Sequence, residues 1–219
     1  MNDALTPPYT IQTERLVLRC YNPSDAPLLQ KAIGESLAEL CMWMPWATSE
    51  PESLDAKVNR LREMRAAFDS GQDFTYAIFN RDESAILGGA GLHRRVGPGA
   101  FEIGYWIHSA HVGKGYASEC AAAMARVAFE IHGVDRAEIH CDPENVASAA
   151  VARRIGFAHE ATLRRRATSP DGTPRDTMIW TMFASDFGAS TACLRRIDMF
   201  DALGRSREHE QPEFVDQRK

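Results

Sequence analysis

The sequence predicts an α+β (mixed α/β) domain: a central, mixed, mostly antiparallel sheet of about seven strands, flanked by helices on both faces. Two observations predict it. Segments of period-two and period-3.6 hydrophobicity follow one another in the order β-α-α-β-β-β-α-β-α-β-β. Turn signals at 97–99 (Gly-Pro-Gly) and 169–172 (Ser-Pro-Asp-Gly) join neighbouring strand-like runs as hairpins.

Residues 13–21 alternate around Leu16, Leu18 and Cys20 and read as the first strand. Pro23-Ser24-Asp25 opens a helix with Leu28, Leu29 and Ile33 as its buried stripe. Residues 41–46 (CMWMPW) form an aromatic-rich loop. A second helix follows, with Ser49 and Glu52 spaced as a capping box and Leu54, Val58, Leu61, Met64 and Phe68 at helical spacing.

Three strands are expected at 74–79, 86–96 and 101–108. In the last, Phe101, Ile103, Tyr105 and Ile107 share one face and Glu102, Gly104, Trp106 and His108 the other. A glycine-bearing turn at 111–115 leads into a long helix through about Ile131, buried along Cys120, Met124, Val127 and Ile131. A strand at 136–141 precedes a helix from about Asn145 to Ile155 that stops at Gly156. A hairpin, with arms starting near 157 and spanning 177–183, ends the globular unit; an extra helix is expected at about 191–203. The division is thus an N-terminal arm (1–10), a domain (11–187), and a C-terminal helix with a polar tail (188–219).

Composition narrows the function classes. With 219 residues, 44% hydrophobic and 25% charged, the chain can bury one substantial core. A net charge of -5 supplies no basic field for nucleic acid. Five cysteines without a Cys-x-x-Cys spacing argue against a disulfide framework or a structural zinc site; no metal is expected. The N-terminal residues lack a basic segment followed by an apolar one, and no apolar run approaches the ~20 residues that span a bilayer. The expectation is a soluble cytoplasmic protein without membrane contact.

The segment richest in chemistry is Gly113-Lys114-Gly115-Tyr116-Ala117, where a strand meets a long helix. Two glycines admit a ligand close to the backbone, and the free amides and dipole of the helix start suit a diphosphate. A plain strand-to-helix turn fits about equally well. A P-loop does not, because His108 stands where its first glycine should be and Gly115 where its Ser or Thr should be. A Rossmann fingerprint fails at Ser118.

Residues 102–108 (EIGYWIH) followed by 113–119 (GKGYASE) resemble the strand-turn-helix core of the GNAT superfamily, and most of all its ribosomal-protein N-terminal acetyltransferase branch. Residues 145–148 (NVAS) and 151–157 (VARRIGF) resemble that branch's second signature, and 13–19 (TERLVLR) its first strand. The resemblance spans roughly 11–187. It implies the GNAT fold, to which the residues after 187 add a C-terminal helical appendage, with acetyl-CoA as acetyl donor and a primary amine as acceptor.

The resemblance also implies roles. Val112, Gly113, Lys114, Gly115, Tyr116, Ala117 and Ser118 would hold the pyrophosphate, with Tyr105, Trp106 and Ile107 beside the thioester and Asn145 along the pantetheine arm. Val112 departs from the Gln, Arg or Asn usual there, which removes a side-chain contact but not the amides. Ser148 would donate to the leaving thiolate; the tyrosine that many members carry one turn later is Ala152 here. Glu102 is the leading candidate base, with Glu138 and Asp142 behind it and a water-linked relay through His93, His108, His140 and Asp142 as a further option. Trp43, Met44 and Trp46, with Glu102, would line the acceptor channel. A backbone amide near 105–107 would face the oxyanion. Arg164, Arg165 and Arg166 read as a solvated strand edge.

The acceptor stays open between a protein N-terminus, an aminoglycoside, a polyamine and a small metabolite. The rivals are a non-catalytic acyl-CoA sensor of the same fold and an interaction protein that uses 188–219 as a docking or homodimer element.

Overall fold

In the computed structural model, residues 6–169 and 172–207 are described, and they form a nine-stranded sheet in the order β7-β8-β6-β5-β4-β3-β2-β1-β9. The strands are β1 (Thr10–Gln12), β2 (Leu16–Cys20), β3 (Phe74–Asn80), β4 (Ile86–His93), β5 (Ala100–Ile107), β6 (Arg136–Cys141), β7 (Ala158–Thr168), β8 (Pro174–Phe183) and β9 (Asp198–Phe200). Every pairing is antiparallel except β5 with β6. The expected mixed, mostly antiparallel sheet is present, with two more strands than the seven expected.

Both additions are short. The first strand segment is β2 alone; β1 precedes it and folds back through a turn closed by the Thr13 amide on the Leu16 carbonyl at 3.0 Å. The other addition, β9, replaces the helix expected at 191–203, where the chain instead makes turns and then pairs with β1. Leu194 and Leu203, which would have filled a helical stripe, are 79% and 75% exposed, while Ala192 and Met199 are buried. The apolar residues of this stretch therefore serve an edge strand. The helical element at this end is α6 (Ala184–Phe187), directly after β8.

Six helices cover the sheet. One face carries α4 (Tyr116–Arg126) and α5 (Val146–Ile155), packed on Leu16, Leu18, Tyr76, Leu92, Phe101, Ile103 and Ile139. The alanines at 121–123 and 125 are fully buried, which lets α4 lie close to the strands. One π-helical turn, Val127–Ile131, continues it to the expected end. The opposite face carries α1 (Ala26–Gly34), α2 (Leu37–Trp43) and α3 (Leu54–Asp69), packed on Val17, Ala77, Phe79 and Ile86.

Local capping differs from expectation in one place. The helix α3 is capped by Ser53, whose side chain accepts from the Ala56 amide at 3.2 Å, rather than by Ser49 and Glu52. Glu52 is engaged elsewhere: with Glu50 it binds the fully buried Lys57 ammonium, and it also pairs with Arg60. Leu54 accordingly lies at the helix start, exposed, and Leu61 and Phe68 carry the burial. The 41–46 segment is not a loop throughout; its first half ends α2 and Pro45–Ser49 form a 3-10 turn.

The helix α5 ends as predicted at Gly156, at φ 101°, where an added Cβ would sit 3.0 Å from the Ser190 Cβ. His132, just past the π-helical turn, stacks on Phe74 at 4.7 Å, and its buried Nε2 has no hydrogen-bond partner among the described residues. Burial, with Arg94 and Arg207 nearby, holds its pKa down to about 4.

Two outcomes follow. Gly156→Ala should destabilise the fold by more than about 1 kcal/mol in denaturant unfolding, because the left-handed backbone and the Ser190 contact both oppose a side chain. His132 remains neutral in the fold while the unfolded chain takes up a proton below its ordinary pKa of about 6.5. The stability it contributes is complete above that pH and is lost as pH falls through about 4. His132→Phe should keep the stack and flatten this acid limb, by up to about 3 kcal/mol in unfolding measurements across the range.

Candidate active site

The site is organised by a gap between two strands. The parallel pair β5–β6 holds for only three registers, Ala100 with Arg136, Phe101 with Ala137 and Glu102 with Glu138. Beyond them β5 stays on β4 to Ile107, and β6 stays on β8 to Cys141. The backbone of 103–107 thus has no strand partner on its β6 side. Helices α4 and α5 each begin shortly after the C-terminal end of one of these strands, the usual place for a ligand site in parallel strand pairs.

At the end of β5, His108 to His111 form a 3-10 turn, and Gly113 and Gly115 follow at φ 76° and 81°. Gly115 caps α4. These left-handed positions are what the two glycines provide. Among the described residues, no acceptor is found for the amides from Gly113 to Ser118. A run of free amides at the start of an 11-residue helix presents donors and the positive end of the helix dipole, the chemistry that suits an anion. Val112 is 63% exposed at its rim. The Lys114 ammonium is also exposed, 3.2 Å from the His111 Nδ1.

The turn is held from outside by a clamp that sequence reasoning missed. Glu119, in the first turn of α4, is almost fully buried. Its Oε1 accepts from the Thr13 hydroxyl at 2.5 Å and from the Arg15 amide at 3.0 Å. Its Oε2 accepts from the Arg15 Nε at 2.7 Å. Arg15 also donates to the Lys114 carbonyl at 2.8 Å and lies over the Tyr116 ring at 4.8 Å. The TER motif of 13–15 and the last residue of GKGYASE are therefore two halves of one device. The available signal was an acid in the first turn of a helix, directly before the apolar run from Cys120 to Ala125.

At the end of β6, Asn145 caps α5 by accepting from the Ser148 amide at 3.0 Å. Its side-chain oxygen is thus committed to the helix, leaving the amide nitrogen for other contacts. The Ser148 hydroxyl meets the Tyr105 hydroxyl at 3.0 Å across the gap. Burial raises the pKa of the Tyr105 phenol. It also raises that of the Cys141 thiol, which faces Ser148. Ser118 is buried and accepts from Arg154 at 3.3 Å. Ile107 packs on the α4–α5 side.

Trp106 points the other way. Its indole packs against the α1–α3 side, with Trp46 at 6.3 Å and 60°. Only its backbone borders the gap between β5 and β6. On its own face Trp46 is 39% exposed and Met44 is partly buried. Trp43 lies under the Arg175 guanidinium at 5.3 Å, and Arg175 also donates to the Met42 carbonyl and to Asp142, at 2.9 and 2.5 Å. Arg175 therefore ties β8 to the end of α2.

Glu102 occupies that same face. Burial alone would raise its pKa, but the Arg95 guanidinium, bound through both oxygens at 2.7 and 2.5 Å, outweighs it and holds the carboxyl below the usual range. His140 is its other neighbour, with Nδ1 at 3.5 Å from Glu102 and Nε2 at 2.6 Å from Glu138. The four-residue relay is not assembled by direct contacts. His93 binds Asp73, His108 binds Glu35 and Asp142 binds Arg175, each with a partner of its own. The arginines at 164–166 lie exposed on the edge strand β7. The hairpin tip at 170–171 lies outside the described residues. Among the described residues no group of three or more His, Cys, Asp or Glu side chains is placed to hold a metal ion, and no helix is long and apolar enough to cross a membrane.

The family model for the acetyltransferase (GNAT) domain matches residues 15–158, from the Arg15 clamp to the start of β7. The chain belongs to the GNAT family. This GNAT domain is 26% identical over 155 residues to the uncharacterized N-acetyltransferase YnaD of Bacillus subtilis, covering 71% of this chain and 86% of that one. Its fold is similar to that of Mycobacterium smegmatis RimJ in complex with CoA-disulfide, with a TM-score of 0.75 at 24% identity over 85% of this chain and 92% of that one. It is also similar to RimL, a ribosomal L7/L12 alpha-N-protein acetyltransferase in complex with coenzyme A. There the TM-score is 0.71 at 23% identity, over 78% of this chain and 95% of that one.

Glu119→Ala should remove the acceptor of the Arg15 amide and guanidinium and one of the partners of the Thr13 hydroxyl, and cost about 1–3 kcal/mol in denaturant unfolding. Lys114→Ala, at an exposed position, should stay within about 0.5 kcal/mol of the unmodified protein in the same measurement.

Proposed function

We propose that this GNAT domain transfers an acetyl group from acetyl-CoA to a primary amine by direct attack. The observation that carries the reading is the β5–β6 gap, with free amides from Gly113 to Ser118 at one end and Ser148 at the other. The chain's groups fit the donor: amides and a helix start for a pyrophosphate, unpaired strand backbone for a pantetheine amide, and a hydroxyl for sulfur. The bound donor supplies a thioester carbonyl to the amine, and its carbon–sulfur bond breaks with the electron pair remaining on sulfur.

The residues divide the work. Gly113, Gly115, Tyr116 and Ala117 offer amides to the diphosphate, and Val112, Lys114 and Ser118 shape the turn. Asn145 fixes the start of α5, which places Ser148. An amide in 105–107 faces the developing oxyanion. Ser148 donates a hydrogen bond to the sulfur as it acquires charge. On the other face, Trp43, Met44, Trp46 and Trp106 form adaptable apolar walls around the incoming amine.

An α-amine has a pKa of about 7.7–8.0 and is mostly protonated at neutral pH, so a proton must leave before attack. Glu102, ionised by its contact with Arg95, holds the ammonium and passes its proton through water or His140. The pairing with Arg95 makes Glu102 a weak base, which suits an α-amine better than a lysine side chain with a pKa of about 10.4. This favours the N-terminus of a protein or peptide as acceptor, in line with the described acceptor of RimL.

Calorimetric titration with acetyl-CoA, together with thiol release over a panel of amines, tests the reading. Saturable binding that Gly115→Glu abolishes, and thiol release that depends on one amine class, are the expected results. Binding without amine-dependent release would support the acyl-CoA sensor instead. Glu102→Gln should lower kcat/KM by about 100-fold and leave acetyl-CoA affinity unchanged. Arg95→Gln removes the contact that depresses the Glu102 pKa, so the acid limb of the kcat/KM profile should move to higher pH.

A further inference from the structure

We propose that Tyr105 is a positioning residue for thiolate departure, its phenol holding the Ser148 hydroxyl so that the serine proton faces the leaving sulfur. The inference rests on the acetyltransferase reading and concerns a residue placed, from sequence, only beside the donor.

Ser148 sits in the first turn of α5, and its amide is committed to the Asn145 side chain at 3.0 Å. The backbone is therefore fixed, while the hydroxyl can still rotate among staggered positions. A serine hydroxyl has one proton to give and two lone pairs to receive. Tyr105 reaches it from β5, on the opposite side of the gap, at 3.0 Å between oxygens. The Ser148 carbonyl is the phenol's other contact, at the longer distance of 3.4 Å. If the phenol donates to the serine oxygen, the serine proton is directed away from Tyr105 and into the gap. The next turn of α5 offers no hydroxyl, because Ala152 is there and fully buried.

Burial raises the pKa of the phenol, so it keeps its proton at neutral pH. Tyr105 is thus a fixed donor rather than a source of protons. When the nitrogen–carbon bond forms and the carbon–sulfur bond breaks, the electron pair stays on sulfur and the surplus amine proton leaves towards Glu102. The sulfur then accepts a hydrogen bond from Ser148, which accepts from Tyr105. A chain of two hydrogen bonds ending on an anion strengthens both. The sulfur finally takes a proton from solvent, giving amide and thiol in equal amounts.

The test compares Tyr105→Phe, Ser148→Ala and the double variant. Tyr105→Phe keeps the ring and removes only the hydroxyl, so melting temperature and acetyl-CoA KM should hold while kcat falls about five- to tenfold. In the Ser148→Ala background the same change should have no further effect, since its partner is gone. An equilibrium readout accompanies the rates: the thiol–thiolate balance of bound CoA, followed by thiolate absorbance against pH. Tyr105→Phe should shift that balance about five- to tenfold towards thiol. Unchanged kcat and thiolate balance in Tyr105→Phe, or an equal loss in both backgrounds, would overturn the positioning role while leaving the acetyltransferase reading intact. Absence of amine-dependent thiol release by the unmodified protein would overturn both.

Discussion

The parting of β5 and β6 after a single three-residue ladder is the constraint on which the rest of the molecule depends. Parallel neighbours that continued to pair would close the sheet and leave α4 and α5 as ordinary packing helices. Because each strand is instead bound to a different antiparallel partner, the two halves of the sheet diverge and leave the backbone of 103–107 without a strand partner on its β6 side among the described residues. Two helix starts then border that opening, one with a glycine cap and the other with an asparagine cap. That opening is a by-product of strand pairing, trimmed by a few side chains.

The two faces of β5 separate the tasks. Tyr105 and Ile107 face the alanine-rich α4 and the start of α5, where burial raises the pKa of a phenol and fixes a serine. Glu102 and Trp106 face the α1–α3 side, where an arginine keeps the carboxylate charged and the indoles of Trp46 and Trp106 lie 6.3 Å apart. The alternation of one strand thus sends a phenol and a carboxylate to opposite faces of the sheet. The clamp of Thr13, Arg15 and Glu119 holds the glycine turn before α4 from about one hundred residues away in sequence.

Much of this was legible in the sequence because it is local. The strand at 136–141, the stop at Gly156 and the glycine turn before α4 each depend on neighbouring residues and period, and each is where the pattern places it. What was not legible depends on distant partners. Glu52 looked like half of a capping box, but a buried Lys57 takes it, and Ser53 caps the helix instead. Residues 191–203 carry apolar spacing compatible with a helix, yet the unpaired edge of β1 recruits 198–200 as a strand. Glu102 could be assigned to a face but not to Arg95, since only the bend after β4 brings the guanidinium back to it. Trp106 was grouped with the donor residues by its place in the motif, and alternation sends its indole to the α1–α3 side.

The most direct test of the account is amide hydrogen exchange on the unmodified protein with and without CoA, resolved at single residues. Strong new protection is expected at Gly113, Gly115, Tyr116 and Ala117, with weaker protection along 103–107 and at the start of α5. Protection confined to another part of the sheet, or none in these segments under saturating CoA, would contradict it.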